Sequence, residues 1–187
     1  MTALVVFGRA QGVWDELVLA QQTFKFDGVI GVGSASVDYP GELLAIVSFH
    51  AEVLSHWAEQ RARRGYPAAK HYVSSLYKGQ ATRRGQSRVL PVQYVTCEGG
   101  SSGLIASVAA VELFKADHVV LAGIPMDADR NQYDKNAPWK EAMMHRKGWE
   151  NAYPRIKDHV RSMSGWTSQF LGTPTAAWMK EANRAAA

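Results

Sequence analysis

The chain has 187 residues, of which 47% are hydrophobic and 20% are charged, and its formal net charge is +4. This length suits one domain better than two, and the hydrophobic content excludes an intrinsically disordered protein. The net charge is too small to indicate nucleic-acid binding by itself. We therefore expect a single globular domain over residues 1–187, with a core at 1–128.

Strands and helices are predicted to alternate along the first two thirds of the chain. The predicted strands are short apolar runs at residues 4–7, 28–33, 43–49, 71–76, 92–95 and 118–123. The predicted helices carry apolar residues at helical spacing and cover residues 13–24, 51–64 and 101–115. Such alternation is typical of right-handed crossovers. The predicted fold class is therefore α/β, a Rossmann-like three-layer sandwich with a mostly parallel sheet.

The composition changes after Met126. Residues 127–149 are polar, aromatic and basic. Residues 129–187 are predicted to comprise a lid segment over the site and the C-terminal helices, an irregular polar excursion being the alternative to the lid. Helices are predicted at 154–163 and 175–187, and a flexible loop at 78–87. Basic residues cluster at 61–70 and 78–88, where a solvated helix end and a polar loop are favoured over a phosphate-facing strip.

The cysteine content and the N-terminus bear on location. The single cysteine, Cys97, excludes an intrachain disulfide and favours a reducing compartment. The apolar N-terminus has no basic lead and no cleavage site, so it is predicted to be a buried strand and not a signal peptide. No run approaches the roughly 18 apolar residues of a membrane span. The sequence therefore predicts a cytoplasmic protein with no membrane partner.

Ligands of parallel α/β sheets bind outside the carboxyl ends of the strands, so the loops at those ends form the candidate site. Glycine there permits close approach of the backbone to a ligand, and the planar fork of Arg9 matches a phosphate. An ordinary strand-to-helix turn is the equally weighted alternative for this first loop. The candidate ligand-binding residues are Gly8, Arg9 and Gln11 after the first strand, Gly33 and Ser34 after the second, and Gly100, Ser101, Ser102 and Gly103 before the third helix.

The glycine- and serine-rich run at residues 98–103 is the most informative of these loops. It leads into a predicted helix, whose N-terminal amides and dipole favour an anion. Ser101 or Ser102 can cap that helix and donate to a ligand oxygen. We expect ligand contact here, and a purely structural cap is the alternative.

Two titratable residues follow predicted strands. His50 comes after the third strand, a position suited to catalysis or substrate contact. Asp127 comes after the last strand, where a carboxylate holds a ribose hydroxyl or a metal, or acts as a base. A metal site formed by His50, Glu52 and His56 is disfavoured, because their spacing does not bring them to one helical face.

The order of these motifs resembles a known group. The residues that carry the resemblance are Trp-Asp-Glu-Leu at 14–17, Ser-Phe-His-Ala-Glu at 48–52, Gly-Gly-Ser-Ser-Gly-Leu at 99–104 and Gly-Ile-Pro-Met-Asp at 123–127. Over about residues 4–128 the chain resembles uncharacterised phage and prophage proteins. More distantly, it is similar to the Rossmann-like domains of 6-hydroxymethylpterin diphosphokinase-like proteins and of bacterial lipooligosaccharide sialyltransferases.

The sialyltransferase resemblance implies a CMP-sugar donor held by residues 8–11, 33–34 and 101–103, with Asp127 at the ribose or acceptor side. A histidine of the lid is the base in that family, and His145 is its counterpart by order. The family's Asn-Gly-Pro-Ser turn is replaced here by Gly-Arg-Ala-Gln at residues 8–11. Its asparagine in the second loop is replaced by Gly33 and Ser34.

The leading hypothesis is a nucleotide- or nucleotide-sugar-binding transferase, in which His50 or His145 removes the acceptor proton. The alternative is a catalytically inactive phage-associated binding or structural protein, which the missing asparagines favour. Its partners would be a second copy of the chain or another phage protein, in the host cytoplasm. A pterin diphosphokinase is the third hypothesis and would need magnesium and paired carboxylates, for which Asp127 and Asp129 are the obvious pair. No motif supports nucleic-acid binding.

Overall fold

The computed structural model describes residues 1–76, 90–97, 99, 101–135 and 137–185. The strands are β1 (Ala3–Phe7), β2 (Gly28–Val32), β3 (Ala45–Val47), β4 (His71–Leu76), β5 (Val92–Thr96), β6 (His118–Ala122), β7 (Asn131–Gln132), β8 (Ala137–Pro138) and β9 (Val160–Ser162). The helices are α1 (Val13–Thr23), α2 (Ala35–Asp38), α3 (Leu54–Arg63), α4 (Ser102–Glu112), α5 (Ala142–Ile156), α6 (Gly165–Leu171) and α7 (Ala176–Ala185), with a 3₁₀ turn at Ala51–Val53 before α3.

Within the described residues, seven strands form one sheet in the order β5-β4-β3-β2-β1-β6-β9. Every neighbouring pair in this sheet is parallel. The predicted α/β fold class, a Rossmann-like three-layer sandwich, is confirmed. From β1 the chain winds outward through β2 to β5 and then returns to β6 on the other side of β1. The β1–β6 boundary is therefore the switch point where open α/β sheets bind ligands.

The sheet is covered on both faces, and its central strands β1, β2 and β3 consist of apolar residues and glycine. β1, β3 and β6 are buried at every residue, as is typical of parallel strands between two helical layers. Residues of α4, α5 and α6 form a hydrophobic cluster with one face of the sheet. Residues of α1, α2, α3 and α7 contribute to a second cluster that contains the opposite faces of β1 and β6. Two cores thus hold the strand ends in fixed positions.

The C-terminal third corrects one sequence-based expectation. The helix predicted at residues 154–163 is instead the last turn of α5, followed by the edge strand β9. The prediction began at Pro154 because proline is common in the first turn of a helix. In the structure Pro154 lies near the end of α5, whose inward face is buried through Trp149, Ala152 and Ile156. Burial of that face offsets the hydrogen bond that the proline cannot make.

Arg61 corrects a second expectation, because its side chain is not a solvated helix end. It is 1% exposed, and its guanidinium donates to main-chain carbonyl oxygens. These acceptors belong to Ser36, Tyr39, Gly41 and Pro67. The predicted loop at 78–87 and the basic cluster at 78–88 lie outside the described residues. Among those that are described, no helix combines the length and the apolar character needed to cross a membrane.

Candidate functional site

A cavity of about 420 Å³ opens at the carboxyl edge of the sheet, beside the switch point. Its walls are the loops after β1, β2, β3 and β6, the start of α4 and part of the lid segment. Small-molecule sites typically have volumes of about 300–1,000 Å³. The predicted site residues that line the cavity are Gly8, Arg9, Gly33, His50, Ser101, Ser102, Gly103, Asp127 and His145.

Of the predicted ligand-binding residues that the structure describes, Gln11 and Ser34 are not part of this wall. Gln11 is exposed, and its backbone N–H donates to the carbonyl oxygen of Asn131 at 2.8 Å. Ser34 donates its hydroxyl proton to Oδ2 of Asp134 at 3.0 Å. Gly100 lies outside the described residues. Gln11 and Ser34 therefore stabilise the loops around the cavity without lining it.

Sequence analysis did not predict several residues of the wall, among them Phe49, Trp57 and Gln132. Trp57 belongs to α3. A Cβ atom at Gly33 would lie 3.8 Å from Cη2 of Trp57, so this ring adjoins the loop after β2. The pattern that could have identified it is a large aromatic residue in the first turns of a helix that follows a strand end.

Gly8 allows the two strands of the switch point to approach each other closely. A Cβ atom at Gly8 would lie 2.4 Å from the carbonyl oxygen of Gly123, closer than any side chain tolerates. The Gly8 N–H donates to the carbonyl oxygen of Ala122 at 2.8 Å. The glycine therefore lets the β1 and β6 loops form one continuous wall.

The start of α4 is tied to two neighbouring loops. Ser101 caps the helix, since its Oγ accepts from the Leu104 N–H at 3.4 Å. Oγ of Ser102 accepts from the Phe49 N–H at 2.9 Å and thereby joins α4 to the loop after β3. The first-turn amides of an α-helix have no intrahelical acceptors, and its dipole places partial positive charge there. This end of α4 gives the cavity a preference for anions.

The loop after β6 is held by Arg146 of α5. Its Nε and Nη2 donate to the Met126 carbonyl oxygen at 3.1 and 2.8 Å. Its guanidinium also lies 4.8 Å from the centroid of the Trp166 ring. Met126 has a φ of 56°, a left-handed conformation that costs a residue with a Cβ atom about 1–3 kcal/mol. The contacts of Arg146 offset this strain and fix the turn that precedes Asp127.

The Asp127 carboxylate contacts the backbone of α6 and the side chains of two arginines. Its Oδ1 accepts from the Trp166 N–H at 3.0 Å and lies 3.5 Å from Nη2 of Arg146. Its Oδ2 lies 4.0 Å from Nη2 of Arg130, which also lines the cavity. Arg130 in turn lies 3.4 Å from Oε1 of Glu16. Opposite charges therefore alternate along this edge of the cavity.

The two candidate histidines reach the cavity from different elements. His50 lies between β3 and the 3₁₀ turn, is 56% exposed at its side chain, and has Nδ1 3.2 Å from Oε1 of Glu52. His145 belongs to α5 and stacks on Trp139, with 5.2 Å between ring centroids. The described part of the chain contains no group of three or more His, Cys, Asp or Glu side chains arranged to hold a metal ion.

Residues of the lid segment line the cavity, and the segment is attached to the loop after β1. The Tyr133 N–H donates to the Arg9 carbonyl oxygen at 2.9 Å. The Tyr133 hydroxyl donates to Oδ2 of Asp38, which also forms an ion pair with Arg64. Burial, followed by this hydrogen bond, raises the pKa of Tyr133 above its ordinary value. The attachment therefore includes both main-chain and side-chain bonds.

The chain has no significant match to a protein-family model, a curated protein or a solved structure. The resemblance to phage proteins and to sialyltransferases stays a prediction. The function has to be inferred from the cavity and its residues.

Proposed function

We propose that the chain binds a nucleotide or nucleotide sugar in this cavity and acts as a transferase of the sialyltransferase-like kind. The observation that carries the proposal is the convergence of Arg9, the first turn of α4 and two histidines on one cavity at the switch point of the sheet. Arg9 and the α4 amides supply positive charge for a phosphate. The histidines supply a proton acceptor for a hydroxyl group.

In this proposal the donor phosphate lies at the start of α4. As the bond between the sugar and the phosphate breaks, negative charge grows on the phosphate oxygen. The amides of the first helical turn and Arg9 stabilise that charge. His145 or His50 takes the proton of the acceptor hydroxyl, whose oxygen forms the new bond to the sugar. Phe49 and Trp57 offer aromatic surfaces for the nucleobase.

Calorimetry with a panel of nucleoside monophosphates and nucleotide sugars, with and without magnesium, tests the binding step. The variant Arg9→Gln is expected to weaken binding about tenfold or more, the equivalent of one charge-assisted hydrogen bond. Arg63→Gln is the matched control, because Arg63 is 72% exposed on α3 and pairs with Glu59. Equal dissociation constants for the two variants would contradict the proposed phosphate position.

The transfer step is tested by donor consumption in the presence of hydroxyl-bearing acceptors. Replacing the catalytic histidine by alanine should lower the rate about 100-fold or more with little change in donor binding. We expect this effect from one of His145→Ala and His50→Ala, and the variant that shows it identifies the base. Full activity in both variants would exclude a histidine base.

A catalytically inactive binding protein is the second candidate, and two observations favour it. Asp127 is already engaged by a backbone amide and an arginine, and Arg9 is paired with Asp134 at 2.7 Å. In addition, Met143 and Met144 are exposed at the start of α5, next to His145, where they offer a surface for a protein partner. Nucleotide binding without donor consumption, together with self-association in sedimentation experiments, would favour this candidate.

A further inference from the structure

Arg9 lies between the cavity and an internal carboxylate. Its side chain lines the cavity, yet its Nη2 donates to Oδ2 of Asp134 at 2.7 Å. The Ser34 hydroxyl donates to the same oxygen at 3.0 Å. Neither Ser34 nor Asp134 is part of the cavity wall. Asp134 therefore binds the charged end of Arg9 from outside the cavity.

The ion pair with Asp134 leaves one N–H group of the Arg9 guanidinium without a hydrogen-bond acceptor among the described residues. Nε of Arg9 is buried and has no hydrogen-bond partner among the described residues. An unpaired buried donor is unfavourable, and a second acceptor would remove that penalty. Because Nε is buried, a phosphate in the cavity reaches Nε and Nη2 together only when the side chain turns away from Asp134. The bidentate pair formed then is stronger than the single bond to Asp134. A phosphate in the cavity is therefore the better partner for Arg9.

The segment that carries Asp134 has its own attachments. The Gln11 N–H donates to the Asn131 carbonyl oxygen, and the Tyr133 N–H donates to the Arg9 carbonyl oxygen. The Tyr133 hydroxyl is bound by a different carboxylate, that of Asp38. None of these three bonds uses the Asp134 carboxylate. Arg9 can exchange partners while residues 131–133 stay in place.

We propose that Asp134 is an internal anion that competes with the ligand's phosphate for Arg9. This inference rests on the proposed function, since it assigns the phosphate to the same cavity. A neutral nucleoside offers Arg9 no second anion, so it leaves the Arg9–Asp134 pair intact. A phosphorylated ligand displaces Asp134 and gains the guanidinium. The Arg9–Asp134 pair thus lowers the affinity of the cavity for every phosphate. Only a ligand that carries a phosphate binds Arg9.

The test uses inorganic pyrophosphate as the anion and calorimetry as the measurement. Asp134→Asn removes the charge but keeps the shape of the side chain, and we expect it to bind pyrophosphate about fivefold or more tightly than the unsubstituted protein. Ser34→Ala removes the second bond to the carboxylate and should shift the affinity in the same direction by less. Glu59→Gln on α3 is the matched carboxylate control and should leave the affinity unchanged. The double variant Arg9→Gln with Asp134→Asn should lose the gain.

The results test the competition between Asp134 and phosphate separately from the proposed function. Weaker pyrophosphate binding in Asp134→Asn would overturn the proposal, because Asp134 would then be holding Arg9 in place for the ligand. Failure of pyrophosphate to bind any variant would also overturn it, even if a nucleotide binds through its base and ribose. Conversely, tighter pyrophosphate binding in Asp134→Asn without any nucleotide binding would support the competition and remove the proposed function.

Discussion

Arg61 and Tyr39 are joined by a hydrogen bond of 2.6 Å, in which the buried guanidinium donates to the main-chain carbonyl oxygen. The same side chain donates to the carbonyl oxygens of Ser36, Gly41 and Pro67. Among the described residues no carboxylate pairs with it, and burial lowers the pKa of its guanidinium. One cation thus connects α2, the loop before β3 and the turn after α3 through backbone acceptors alone.

Replacing Arg61 by methionine should destabilise the protein severely. The substitution leaves one buried and three partly buried carbonyl-oxygen bonds without their donor, so we expect the free energy of unfolding to fall by about 3 kcal/mol or more. Urea denaturation measures this change. Arg63→Met on the same helix is the control and should stay within about 0.5 kcal/mol, because that side chain is solvent-exposed. Similar losses for both variants would mean that the backbone acceptors find other donors.

A comparison of Gly165 with Gly65 separates the cost of a left-handed backbone conformation from the cost of a steric clash. Both have left-handed φ values, 68° and 72°. A Cβ atom at Gly165 would lie 2.3 Å from Cβ of Pro125 and 2.4 Å from Oδ2 of Asp127, whereas nothing lies within 4 Å at Gly65. We expect Gly65→Ala to lower the free energy of unfolding by about 1–2 kcal/mol, the conformational cost alone.

Gly165→Ala should lower it by clearly more than Gly65→Ala, because the clash adds to the same conformational cost. It should also weaken ligand binding by displacing the loop that carries Asp127. Thermal unfolding and calorimetry on both variants give the comparison. Equal stability losses would show that the β6 loop moves aside without cost.

Ser101 is expected to contribute to stability as the cap of α4. Ser101→Ala removes the acceptor for the Leu104 N–H and should lower the free energy of unfolding by about 1 kcal/mol. Ser101→Gly is the informative comparison, since glycine at this position costs only about a few tenths of a kcal/mol. Chemical denaturation of the pair measures both values. A larger loss for glycine than for alanine would contradict a capping role.

Tyr133 should make stability depend on pH in the alkaline range. Its pKa is raised in the folded state, chiefly by burial and then by Asp38. A group whose pKa rises on folding stabilises the folded state below its unfolded-state pKa, and this contribution is lost as the pH rises above that value, about 10 for tyrosine. The protein should therefore lose stability above about pH 10.

Tyr133→Phe should be less stable at pH 8 by about 1 kcal/mol, because its hydrogen bond to Asp38 is gone. Between pH 8 and 10.5 it should lose less stability than the unsubstituted protein. Tyr72, whose pKa burial also raises, remains in both proteins and accounts for part of the residual slope. Identical pH profiles for the two proteins would show that Tyr133 does not titrate differently on folding.

The sequence was sufficient for the central sheet and for several of the loops that line the cavity. β1 and β6 are continuous apolar runs, and their order with α1 and α4 determines a parallel sheet with its ligand edge at known loops. Gly8, Gly33 and Ser101 could therefore be located before any coordinates. For residues near a strand end, such as Gln11 and Ser34, the sequence could not show whether they line the cavity or stabilise the loops around it. That distinction depends on the direction of the side chain.

Features that depend on contacts between residues far apart in the chain could not be predicted from the sequence. The Arg9–Asp134 pair spans 125 positions, and nothing local marks Asp134 as its partner. Arg61 belongs to a helix rich in charged residues, so only the loops that fold over it show that it is buried. β9 has three residues, too few for an alternating pattern to distinguish it from a helix end.

The position of β9 has a consequence for synthesis of the chain. β1 emerges first, but its neighbour β6 begins at residue 118, and the edge strand that covers β6 begins at residue 160. Until residues 160–162 have left the ribosome, a nascent sheet exposes an apolar, unpaired strand edge. A truncation before residue 160 would leave that edge open permanently, so the C-terminal segment protects the finished protein from edge-to-edge aggregation.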